Sequence, residues 1–68
     1  MNYETFYQNF LSYYREDVYL RMGQLFMNEL YKCNPELYKK VPADLDCYHN
    51  DRLFGACSDW VQDRWEDN

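Results

Sequence analysis

The side chains able to do chemistry are few and loosely spaced. Cys33, Cys47, His49 and Cys57 supply four sulfur or nitrogen atoms. Structural zinc takes four such ligands, usually in close pairs. Only Cys47-x-His49 is a close pair here, and Cys33 and Cys57 fall on apolar stripes. Buried thiols and an exposed loop histidine are therefore expected, with no metal and no cofactor. A thiol nucleophile beside His49 would need an orienting group and an oxyanion site, and no signature of either is present. Asp44-x-Asp46 with Asn50 and Asp51 resembles the start of a calcium loop. The glycine at position six and the glutamate at position twelve are missing, with His49 and Gly55 in their places. Asp44 and Asp46 read as turn formers and Asp51 as a helix cap. No catalytic residue is assigned, and the chain is expected not to be an enzyme.

Any site must rest on a small scaffold. Sixty-eight residues, 47% hydrophobic and 21% aromatic, make one domain. A chain of this size hides only about 60% of its unfolded surface and has little room for a deep cleft. Twelve acidic and seven basic residues give a formal charge of −5. The cations are scattered, which argues against direct nucleic-acid binding. An acidic surface suits solubility or a basic partner. No apolar run approaches the length of a membrane span, and no leader pattern opens the chain. Three cysteines without a C-x-x-C pair fit a reducing, cytoplasmic setting with the thiols as small core residues.

The chain has no isoleucine, three valines and one threonine, a poor inventory for strands. Its hydrophobic spacing is helical. Tyr3, Phe6, Tyr7, Phe10, Leu11 and Tyr14 make one stripe behind an Asn2 cap, predicting a helix over 3–14. Val18, Met22, Leu25, Phe26, Leu30 and Cys33 make a second, predicting 18–33 with Asp17 as cap. Tyr14, Val18 and Met22 continue the spacing, so one bent rod competes with two helices, and a break is favoured. Gly23 costs about 1 kcal/mol against alanine inside a helix, which makes sense where another helix backbone approaches closely. Asn34-Pro35 ends this helix and starts a short one over 35–41. Leu53, Phe54, Cys57, Trp60, Val61 and Trp65 predict a last helix over 51–66. The expected fold is an all-α compact bundle of three longer helices and one short one, residues 1–68 forming a single helical domain. Tyrosine and tryptophan are expected to fill much of its core, with their polar tips at the rim.

Arg21-Met22-Gly23-Gln24, Asn28-Glu29-Leu30, Pro35-Glu36-Leu37, Asp46-Cys47-Tyr48 with Asp51, and the closing Trp60-Val61 and Trp65 form a pattern. It resembles a group of small uncharacterised proteins of tailed bacteriophages, marine ones especially. That group shows Arg-x-Gly-Gln, Asn-x-Leu, Pro-x-Leu, an Asp-Pro-Phe-Tyr-like turn and a C-terminal Trp. Residues 21 to 65 carry the resemblance, and Cys47-Tyr48-His49 departs from it. It implies a phage product in a bacterial cytoplasm and brings no activity.

Arg21, Gln24 and Asn28 are spaced by three and four, so they share one side of a helix. They could form a recognition face. The structural reading is favoured, the arginine pairing with a carboxylate and the amides holding loop backbone such as the Asp44–Tyr48 turn. Asp59, Asp63, Glu66 and Asp67 stack on one face of the last helix and form the densest acidic patch. Carboxylates one turn apart approach the spacing of phosphates, the device of a nucleic-acid mimic in a basic groove. A solvated polar face opposite Trp60, Val61 and Trp65 is the plain alternative. Tyr13, Tyr19, Tyr31, Tyr38 and Tyr48 lie off or beside the stripes. Eight tyrosines exceed what so small a core holds, and tyrosine is favoured at interfaces. The expected function is a non-enzymatic accessory protein that binds a host or phage protein, with inhibition of a host process or defence system as one outcome. A second copy of the chain is another partner for the same surface. A nucleic-acid mimic and a small virion or assembly component are the alternatives.

Overall fold

The computed structural model describes residues 1–16 and 20–65. Its α-helices are α1 (Tyr3–Glu16), α2 (Met22–Cys33), α3 (Pro35–Lys40) and α4 (Phe54–Arg64). Two 3₁₀ turns, Ala43–Leu45 and Asp51–Leu53, punctuate the α3–α4 connection. No strand occurs among the described residues. The fold is all-α, with three longer helices and one short one.

Asn2 caps α1 as expected, its side-chain oxygen accepting the Thr5 N–H at 2.8 Å. The helix continues past Tyr14 to Glu16, taking in residues the charge pattern reads as an interruption. The largest correction is the start of α2. It begins at Met22 rather than near Val18; Asp17, Val18 and Tyr19 lie outside the described residues. Arg21 is extended, with φ −70° and ψ 158°, and its N–H is taken by the Gln24 side chain at 3.1 Å. That backward bond is half of a capping box, and it fixes the helix start at Met22. Helices α1 and α2 are therefore separate and pack against each other.

Asn34 serves two helices. Its N–H reaches the Leu30 carbonyl at 2.8 Å and closes α2, while its side chain accepts from the Leu37 N–H at 3.2 Å and opens α3. Pro35 follows at the first helical position, where no N–H is needed. Asn34→Ala is expected to lower stability by about 1 kcal/mol, the usual value of such a cap, measurable as a lower urea midpoint. Helix α3 stops at Lys40, one residue short of the expected end, because Val41 before Pro42 is extended.

Phenylalanine fills the centre with Trp65 buried beside it, while Trp60 and the core-facing tyrosines are only partly buried. Phe6, Phe10 and Phe26 are fully buried, and Phe54 packs against them. Phe26 meets Phe6, Phe10 and Phe54 edge-on, with centroids 5.5, 5.3 and 5.2 Å apart. Trp65 stacks on Phe6 at 4.8 Å and donates its indole N–H to the Met1 carbonyl at 2.9 Å. Trp60 is half-buried under the Arg64 guanidinium, 4.5 Å above its ring. Leu25, Met27, Leu30, Leu37, Cys47, Cys57 and Val61 complete the core. Cys33, expected on the buried stripe, is exposed. No described tyrosine is fully buried.

Candidate functional site

The N-terminal turn of α2 holds the 46–51 segment. The Arg21 guanidinium donates to the Tyr48 carbonyl. The Gly23 N–H donates to Asp51 Oδ1 at 3.2 Å, and the Cys47 thiol donates to the Gly23 carbonyl at 3.7 Å. A Cβ on Gly23 would overlap the Cys47 carbonyl oxygen and lie 2.8 Å from its carbon and 2.9 Å from Asp51 Oδ1. The close approach that needs glycine is thus a loop carbonyl, not a second helix. Asp46 shapes the same segment from within. Its Oδ1 accepts the Tyr48 N–H at 2.9 Å and its Oδ2 faces His49 Nδ1 at 3.1 Å. Asp51 is not the cap of the following turn, since Asn50 accepts the Arg52 N–H at 3.0 Å instead. Arg21 meets a carbonyl where a carboxylate was one expectation, and Gln24 bonds the backbone of Arg21 rather than the loop. Arg21, Gly23, Gln24 and Asp46 therefore form a structural clamp.

Asn28 stands apart from the clamp. It is exposed, and lines a groove between α1 and α2 with Tyr13, Leu20 and Lys32. Glu29, a carboxylate missed by sequence reasoning, lies at 6% exposure in the same groove, 3.2 Å from the Lys32 ammonium. Its signal was available: position 29 falls between Leu25, Phe26 and Leu30 on the apolar side of α2.

Tyr31, Tyr38 and Tyr48 gather on the α2–α3 side. Tyr31 is 58% exposed and meets Tyr38 edge-on at 5.1 Å. Tyr13, 45% exposed, lines the α1–α2 groove with Asn28 and Lys32. Tyr38 and Tyr48 share a groove of about 380 Å³ with Met27, Val41 and His49. Tyr19 lies outside the described residues.

The acidic residues sit elsewhere. Asp59 and Asp63 are exposed on α4. Asp59 shares a groove with Glu4, Tyr3 and Tyr7 of α1, so a carboxylate from another helix joins the patch; its place at the start of α1 gave no hint of this. Glu66 lies outside the described residues. Burial pushes the Tyr3 hydroxyl well above its usual range, helped by Tyr7 and Asp59. Its O–H donates to the Ser58 carbonyl at 3.4 Å.

Among the described residues, no three His, Cys, Asp or Glu side chains gather as a metal set. Also among them, no helix is long and apolar enough to cross a membrane. No family model, no curated protein and no solved structure matches the chain.

Proposed function

We propose that the protein is a non-enzymatic binding module whose tyrosines Tyr13, Tyr31, Tyr38 and Tyr48 dock a protein partner. The observation that carries this reading is the exposure of Tyr31, already braced by Tyr38. A ring held by a neighbour loses little freedom on binding, and tyrosine offers a large stiff surface with a hydrogen-bonding tip. The resemblance to small tailed-phage proteins suggests the setting, a bacterial cytoplasm; a host or phage protein is the proposed partner, and inhibition of a host process the proposed consequence.

Capture from a bacterial lysate tests it with three forms of the chain. Tyr13→Ser/Tyr31→Ser is expected to fold with stability within about 0.5 kcal/mol of the parent, as surface changes do. It should lose the captured protein, with affinity falling about 30-fold or more for a hot-spot tyrosine. Asp59→Lys/Asp63→Lys should keep it. The reverse pattern would favour the nucleic-acid mimic, and a stable large homo-oligomer on sizing would favour the assembly component.

A further inference from the structure

The chain carries a sulfur cluster that the proposed binding function does not use. Cys47 comes from the turn and Cys57 from α4, and both are fully buried. They arrive on one strip of α2: the Cys47 sulfur is 3.7 Å from the Gly23 carbonyl, and the Cys57 sulfur is 3.8 Å from the Met27 thioether. Gly23 and Met27 are one helical turn apart. The two side chains also face each other closely enough to shift one another's titration.

We propose that Cys47 and Cys57 are a redox couple, which a small-molecule disulfide converts into an intramolecular disulfide stapling the 46–51 turn to α4. Cys57 is the attacking sulfur. It lies in the first turns of α4, where the helix dipole favours a thiolate. Its contact with the Cys47 side chain also draws its pKa below the usual thiol value, against the upward push of burial. Cys47 is pushed the other way, first by that same contact and then by burial. The Cys57 thiolate attacks one sulfur of the reagent, whose S–S bond breaks and releases a thiolate. The negative charge beside Cys47 is then gone, and Cys47 gives its proton to solvent. Its thiolate attacks the Cys57 sulfur of the mixed disulfide and expels the second thiolate. The protein loses two electrons and two protons, and the reagent becomes two thiols. Access runs through local opening of the turn. The groove that reaches Met27 is bordered by Asp46 and Tyr48 of the same segment.

The test uses Cys33→Ser, which removes the exposed thiol and leaves the core intact. The protein is equilibrated with mixtures of oxidised and reduced glutathione, alkylated and weighed, in native buffer and in urea. In native buffer it should lose two hydrogens, and a peptide map should join Cys47 to Cys57. The folded chain should reach half-oxidation at a ratio of oxidised to reduced glutathione at least tenfold lower than the unfolded chain. In the same background Cys47→Ser should stop at a single glutathione adduct on Cys57, with helicity checked by circular dichroism. A folded chain that needs a more oxidising mixture than the unfolded one would overturn the proposal, because the fold would then oppose the bond.

Discussion

Gly23→Ala is expected to destabilise the protein by roughly 3 kcal/mol or more, the sum of an overpacking cost and the bonds lost with the turn. The added methyl would occupy the position of the Cys47 carbonyl oxygen. Backbone cannot swing aside as a flexible side chain can, so the 46–51 segment must lift from α2. Lifting it breaks the Gly23 to Asp51 and Arg21 to Tyr48 hydrogen bonds and opens the cover over Cys47. A domain of this length has on the order of 3–10 kcal/mol of stability in total, so the variant should be largely unfolded or nearly so. Helix propensity alone predicts the opposite sign, a gain of about 1 kcal/mol for alanine. Gly55 is the internal control, because a Cβ there meets nothing within 4 Å. Gly55→Ala should hold or raise the urea midpoint while Gly23→Ala lowers it. Equal responses at the two glycines would mean that the turn does not rest on α2.

Phe26→Ala should cost about 3–5 kcal/mol, the range for deleting a buried aromatic ring. Phe26 is fully buried and is the ring that joins α1 and α4 through α2, meeting Phe6, Phe10 and Phe54 edge-on. Three edge-to-face contacts at one residue leave no neighbour free to collapse into the space without losing its own geometry. The expected result is loss of a cooperative thermal transition. Phe26→Leu keeps most of the volume and should cost less, about 1.5 kcal/mol. Calorimetry on the pair separates loss of the ring from loss of volume.

Helices α1 and α3 were legible in the sequence because their signals are local. Asn2 and Asn34 sit where their side chains cap, and Phe6 and Phe10 repeat at the helical step. The start of α2 was not legible from periodicity. Tyr14, Val18 and Met22 continue one spacing, and a hydrophobic period has no mark for a break that leaves it in phase. The mark lay in Gln24, which reaches back to the Arg21 N–H. Asp51 shows the same limit. A carboxylate beside a helix start reads as a cap, yet its partner is Gly23, 28 positions away. The resemblance motifs looked like separate short elements, whereas Arg21, Gly23, Cys47, Tyr48 and Asp51 converge on one contact. An excess of tyrosine could be counted from the sequence. Which tyrosines stay outside could not, because that depends on how four phenylalanines fill the centre and leave the hydroxyl-bearing rings at the rim.

The separation of these tyrosines from the acidic α4 face makes salt the most direct discriminator. The affinity of the captured partner should be measured by calorimetry across a series of sodium chloride concentrations. Contacts made by apolar rings are insensitive to screening, whereas a carboxylate array facing a basic groove is weakened by it. The tyrosine reading predicts a dissociation constant that changes less than about threefold between low and physiological salt, since screening acts on exposed charges. A rise of a hundredfold or more would contradict it and place the binding on Asp59, Asp63 and their neighbours.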